Sequence, residues 1–271
     1  MTEILKSGSQ KKEDDLLHCE VCGEPLEAYY PESFMKTFRC ERDRHHVDCK
    51  CMRREKEAME KEQKEKDHKL EVERLRRECF RTGMFSDATF LKSKIRNLHT
   101  EYCQRYAEHW EEEKEKNIGL LLWGDVGTGK TFMAACIANA LLEQEVSVRM
   151  VNFSYIMNTG MDERNTLIDS LSRCGLLIID DFGKERETEY GLEIIHYVLD
   201  ARYNSKKPLI ITTNLPLYVL NDPPTDKHKA IYDRVKNCVR IQFTGESLRQ
   251  AEGAEKMNAF KKILSDAGEE A

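Results

Sequence analysis

The residues with the clearest chemical potential are Gly124, Asp125, Val126, Gly127, Thr128, Gly129, Lys130 and Thr131, in the pattern G-x-x-x-x-G-K-[ST]. Glycines let consecutive backbone N–H groups turn inward around phosphate oxygens. A helix starting at the end of the pattern adds the partial positive charge of its N-terminus. Lys130 can then reach the β- and γ-phosphates of ATP, and the Thr131 hydroxyl can ligate Mg²⁺.

A phosphate loop needs a second carboxylate near its metal. In LLIIDDFG, four apolar residues read as a buried strand, and Asp180 and Asp181 emerge at its C-terminal end. Ligands of open α/β sheets bind at that edge. Asp180 is the expected Mg²⁺ ligand, and Asp181 is placed to polarise an attacking water. Another run, PLIITTN, ends at Asn214, whose amide can hold a water between the γ-phosphate and Asp181. Each of these polar residues alone is also an ordinary turn former.

Five of the ten cysteines, Cys19, Cys22, Cys40, Cys49 and Cys51, cluster near the N-terminus. Cys19-x-x-Cys22, followed by GEPLE, reads as half of a zinc knuckle. Zn²⁺ takes four thiolate or imidazole ligands in a tetrahedron. The second half is Cys49 with Cys51, or a combination that uses Cys40, with His45 and His46 as substitutes. So short a region lacks the core to fold unaided, and a metal would stabilise it directly. Cys136 and Cys174 lie in apolar stretches and read as core thiols.

These groups need elements to position them. Residues 53–77 contain 10 Lys/Arg and 8 Asp/Glu, with no Gly or Pro. Pairs such as Glu57–Lys61 and Glu62–Lys66 support a helix, and the missing apolar seam makes it a solvated linker rather than a coiled coil. Further on, strand-like runs at 118–123, 146–153, 176–180, 209–213 and 239–243 alternate with helical patterns at 131–142, 155–171, 188–203 and 226–236. Continuous apolar strands separated by helices imply an α/β fold with a parallel sheet covered on both faces. The expected organisation is a cysteine-rich module over 1–51, a charged helical linker over 52–82 and a nucleotide-binding domain over 83–271.

With 271 residues, 40% hydrophobic and 34% charged, the chain can pack a sizeable core beneath a heavily solvated surface. A net charge of −6 argues against a tight duplex-DNA binder, so any nucleic-acid contact needs a local basic patch. The polar N-terminus lacks a signal-peptide core, and no apolar run approaches the ~18 residues of a membrane helix. A cytoplasmic protein with reduced cysteines and no membrane contact is expected.

Taken in order, GDVGTGKT, LLIIDDFG, ITTN, IYDR and GESLR resemble an AAA+ P-loop NTPase, and more narrowly the bacterial and phage helicase loaders of the DnaC/DnaI type. The related IstB transposition helpers share that core. The resemblance spans about residues 85–249. It implies that Asp180 is the Walker B metal ligand, Asp181 the catalytic carboxylate and Asn214 sensor 1. Arg234 resembles the arginine finger, which reaches ATP on a neighbouring subunit and so implies self-association. Arg249 resembles sensor 2, which contacts the phosphates in cis. The family places a C-x-C just before the charged helix, which selects Cys19, Cys22, Cys49 and Cys51 as the zinc set. The stretch around Phe85 and Phe90 lies near the adenine base in the family, although core packing explains both rings equally well. Many AAA+ proteins carry Glu where this chain has Asp181, which implies slow, switch-like hydrolysis.

The function implied by the resemblance is that of an ATPase in DNA replication that delivers a replicative DNA helicase onto single-stranded DNA. Lys184 and Arg186 are the candidate DNA contacts. An IstB-like transposition helper is the first alternative, although such chains usually lack the cysteine module. The second is a zinc-bearing adaptor that binds nucleotide without turnover.

Overall fold

The computed structural model describes residues 15–31, 34, 37, 43–93, 97–183 and 188–268. Lys184 and Arg186, the candidate DNA contacts, and Cys40 lie outside the described residues. The chain divides into two compact units, Met1–Lys69 and Leu70–Ala271.

In the first unit, strands β1 (Glu27–Tyr29) and β2 (Arg44–His46) pair antiparallel. Helix α1 (Lys50–Cys79) follows, and from Leu70 onward its residues belong to the second unit. Residues 53–67 of α1 are all exposed, as its charge-rich sequence requires. Glu24 caps its start: the Lys50 N–H donates to Glu24 Oε2 at 2.5 Å, and Arg53 Nη2 donates to the same oxygen at 3.1 Å.

The second unit contains, in chain order, α2 (Leu98–Glu108), α3 (Trp110–Glu115), β3 (Leu120–Gly124), α4 (Lys130–Leu142), β4 (Val148–Val151), α5 (Phe153–Asn158), α6 (Met161–Arg173), β5 (Leu176–Phe182), α7 (Glu189–Asn204), β6 (Leu209–Thr213), α8 (Leu217–Asn221), α9 (Asp226–Lys236), β7 (Val239–Phe243) and α10 (Leu248–Gly268). The strands form a fully parallel sheet in the order β4-β5-β6-β3-β7. Alternation along each strand splits the core between two faces. Leu120, Leu122, Ile178 and Ile210 pack under α4 and α2, whereas Leu121, Leu177, Ile179 and Ile211 pack under α5, α6, α7 and α9.

Several expected elements end differently: the strand expected over 176–180 runs to Phe182, and that expected over 118–123 is Leu120–Gly124. The strand expected over 146–153 is Val148–Val151, because Asn152 caps α5 by accepting the Tyr155 N–H at 2.8 Å. The helix expected over 155–171 is two helices, broken where Thr159 adopts an extended conformation. The topology matters for function. The loop after β3 and the two aspartates of β5 lie either side of β6, so the C-terminal end of β6 sits between them.

Candidate functional site

The loop between β3 and α4 turns with positive φ at Gly124, Gly127 and Gly129. At Gly127 the need for glycine is steric as well as conformational. A Cβ there would lie 2.1 Å from Ser247 Oγ, on a backbone with φ of +84°. The Leu248 N–H also donates to the Gly127 carbonyl at 3.0 Å. The GESLR segment therefore packs directly on the phosphate loop, and Arg249 follows in the first turn of α10, exposed. Thr128 Oγ1 closes the loop on the Asp125 carbonyl at 2.8 Å, whereas Asp125 and Val126 face solvent. Lys130 is buried, and its Nζ donates to the Gly124 and Asp125 carbonyls at 2.9 and 2.6 Å.

Thr131 meets the end of β5 across the sheet. Its Oγ1 donates to Asp180 Oδ1 at 2.8 Å. The same carboxylate oxygen accepts from Thr212 Oγ1 at 2.6 Å, and Thr212 in turn accepts the Asp181 N–H at 2.9 Å. Thr212 is fully buried on β6 and escaped sequence reasoning, because a threonine inside an apolar strand reads as an ordinary β-former. Its neighbour Asp181 has φ of +56° and sits in a register shift between Ile179 and Phe182. That bulge breaks the strand's alternation where the second carboxylate emerges. Asn214 follows β6 directly, partly exposed, at the edge shared by the loop and the aspartates.

Arg234 lies elsewhere. It lines a small cavity with Asn117, Gly119, Leu209, Asn237 and Cys238, residues at the starts of β3, β6 and β7. The phosphate loop follows the other end of β3, a five-residue strand about 16 Å long. An arginine side chain does not span that gap. Arg234 instead pairs with Asp200 at 3.1 Å and stacks over Tyr203 with its guanidinium carbon 4.3 Å from the ring centre. Of the two phenylalanines before the core, Phe85 contacts Phe132 edge-on with ring centres 6.4 Å apart, beside the first turn of α4. Phe90 lies farther along that helix, in a cleft with Cys136, Asn139 and Glu143.

In the first unit, the sulfurs of Cys19, Cys22, Cys49 and Cys51 all lie within 4.8 Å of one another. The Gly23 N–H donates to the Cys19 carbonyl at 2.9 Å, closing the knuckle. Tetrahedral zinc with bonds of about 2.3 Å would set the sulfurs about 3.8 Å apart, so four thiolates in this arrangement fit the ion. The Glu24 amide pulls the Cys22 thiol down to about 6, and a hydrogen bond with Cys22 pushes Cys51 up to about 11. His45 stacks on Tyr30 and His46 faces Asp48 at 3.4 Å, so neither histidine joins the sulfurs.

Residues 51–256 match the family model of the IstB-like ATP-binding proteins. The chain belongs to this family. Among relatives of this IstB-like protein is the replicative helicase loader DnaC of Escherichia coli strain K12, 36% identical over 149 residues. That match spans 46% of the chain and 60% of DnaC, less than two thirds of the relative's length. The crystal structure of DnaI, 24% identical, covers 61% of the chain and 92% of its own, with a TM-score of 0.52. AMPPCP-bound DnaA from Aquifex aeolicus, 15% identical, covers 59% of the chain and 50% of its own, with a TM-score of 0.50. These two likenesses speak to the fold, which is that of the AAA+ P-loop NTPases. No helix among the described residues is long and apolar enough to cross a membrane.

Proposed function

We propose that this protein is an ATP-hydrolysing switch that delivers a replicative helicase onto single-stranded DNA. The observation that carries the ATP half is the 2.8 Å hydrogen bond from Thr131 to Asp180. It joins the hydroxyl and the carboxylate that together hold Mg²⁺ in P-loop enzymes. Similarity to DnaC, named for helicase loading, supports the other half.

Bound Mg²⁺ would neutralise charge between the β- and γ-phosphates. The chain's own residues do the rest. The loop amides and Lys130 grip the phosphates, Asp181 orients the attacking water, and Asn214 positions that water at the shared edge. Arg249 completes the site in cis. Arg234 acts on a neighbour's ATP, consistent with its place at the far end of its own sheet. Arginine suits both tasks because its planar charge pairs with phosphate oxygens and stays protonated. The shorter Asp181 favours slow turnover. Residues 1–51 form a zinc module that docks the helicase, 52–82 a charged linker and 83–271 the ATPase domain, in the cytoplasm.

The test is ATP turnover by wild type, Lys130→Ala and Arg234→Ala, singly and mixed, with co-purification of a ring helicase. Loss in each variant and partial rescue on mixing are expected, since only the mixed interface pairs an intact loop with an intact finger. Unchanged turnover in Arg234→Ala would refute the finger. The family match also favours a second reading, a transposition helper, which predicts binding to duplex DNA and a transposase instead. Retained nucleotide without turnover would mark an adaptor.

A further inference from the structure

The last turn of α1, the loop after it, edge strand β4 and helix α6 enclose an open cleft of about 360 Å³. Arg77, Glu78, Arg81, Arg149 and Ser170 line it. Charge does not balance there. Glu78 is shared, with Oε1 accepting from Arg74 at 2.5 Å and Oε2 from Arg149 at 2.6 Å. Glu71 is engaged by the same Arg74 through both oxygens, at 2.6 and 2.8 Å. Four arginines therefore meet two carboxylates. Arg77 and Arg81 pair with no carboxylate among the described residues. Burial alone would raise the Glu78 carboxyl, yet the Arg149 and Arg74 guanidiniums hold it below its usual range, so it stays ionised and committed.

Two further features suit an anionic polymer. Arg149 is mostly buried, and its Nη1 has no hydrogen-bond partner among the described residues. Its charge therefore adds to the positive field of the cleft from beneath the surface, while Arg77 and Arg81 are the arginines whose charge is open to a ligand. Arg81 lies over the Tyr155 ring with its guanidinium carbon 4.6 Å from the ring centre, so its charge is held in place rather than free to sample solvent. Basic grooves with stacked aromatic or guanidinium planes bind single-stranded nucleic acid with little sequence preference. The chain as a whole carries −6, so this excess of positive charge is local. Composition alone required such a patch for any nucleic-acid contact.

We propose that this cleft binds the phosphodiester backbone of single-stranded DNA, with Arg77 and Arg81 contacting phosphates, the buried Arg149 adding to the positive field and the Arg81–Tyr155 pair offering a plane for a base. The identity of the polymer rests on the loader reading; the anion chemistry of the cleft does not.

The test uses the whole 271-residue chain and fluorescein-labelled oligo(dT), read by anisotropy across a salt series. Arg77→Ala/Arg81→Ala is expected to weaken binding about tenfold or more at low salt and to make the salt dependence shallower by about 1.4, two contacts at about 0.7 each. Arg77→Lys/Arg81→Lys keeps most of that dependence. ATP turnover without DNA and Tm stay at wild-type values in both, since neither residue touches the phosphate loop. Unchanged affinity and slope in the alanine variant would overturn the cleft while leaving the loader reading intact. Equal competition by a duplex of the same length would overturn the single-strand assignment. Wild type that does not bind oligo(dT) overturns the cleft as a DNA site, and helicase co-purification then decides the loader reading separately.

Discussion

Replacing Thr212 with valine removes one hydroxyl and keeps the shape of the side chain. That hydroxyl donates to Asp180 Oδ1 at 2.6 Å and accepts from the Asp181 N–H at 2.9 Å. A hydrogen bond to a charged acceptor contributes about 1.5–3 kcal/mol, and an amide left without an acceptor costs about 1–3 kcal/mol. Both losses fall on the two carboxylates proposed to carry hydrolysis, one of which sits on a bulge with positive φ. If about 2 kcal/mol of this is felt in the transition state, ATP turnover falls about 30-fold. Nucleotide affinity should change less than about threefold, because the proposed grip of the loop and Lys130 is a uniform binding term that Thr212 does not touch. Thr212→Ser keeps the hydroxyl and should retain turnover while losing some stability to the missing methyl. Steady-state kinetics, fluorescent-nucleotide titration and thermal melts on the three proteins separate these effects. Wild-type turnover in Thr212→Val would refute the reasoning. So would equal loss in valine and serine, which would point to packing.

Other expected outcomes follow from the same geometry. Gly127→Ala should abolish nucleotide binding, and Gly127→Ala/Ser247→Gly should recover only the steric part, because a positive φ still costs about 1–2 kcal/mol; nucleotide titration reads both. Asp181→Glu should lower turnover rather than raise it, since glutamate tolerates the left-handed backbone less well than aspartate; an increase would show that side-chain length, not backbone, limits the rate. Chelation of zinc should unfold the cysteine module while the second unit keeps its melting transition, as followed by calorimetry. With Cys51 near 11 and Cys22 near 6, zinc loading at neutral pH should release protons, and affinity should fall as pH drops toward 6 and Cys22 also protonates; a pH-independent affinity would exclude thiolate ligation.

Much of the sheet could be read because its central strands are largely buried on both faces, and edge strand β7 still alternates, with Ile241 and Phe243 buried. Leu209–Thr213 and Val239–Phe243, and the helix Asp226–Lys236, run where the apolar pattern puts them. Patterns fail where polar side chains decide the chain's path. Asn152 converts the end of an apolar run into a helix cap, and α2, whose buried Cys103, Tyr106 and Ala107 sit among charged residues, gives a weak signal in sequence. The strand, glycine turn and helix around residues 124–131 were legible because their signal is local, eight consecutive residues at one strand end. Thr212 and the arginine cleft were not. Thr212 matters through Asp180 and Asp181, 32 and 31 positions away in sequence, and the cleft joins α1, β4 and α6.

Asp181 ties these levels together. Read as sequence, it is a glutamate position filled by a shorter acid, which casts doubt on efficient turnover. In the fold it occupies a left-handed backbone conformation that aspartate and asparagine tolerate better than other L-residues. The bulge, the Thr212 hydroxyl on its N–H and the choice of aspartate are then one arrangement. On the proposed role of Asp181, the backbone offset takes over part of the positioning that a longer side chain would otherwise supply. The cost is dependence on a single buried hydroxyl, and a site held in that way agrees with the proposed switch better than with a motor.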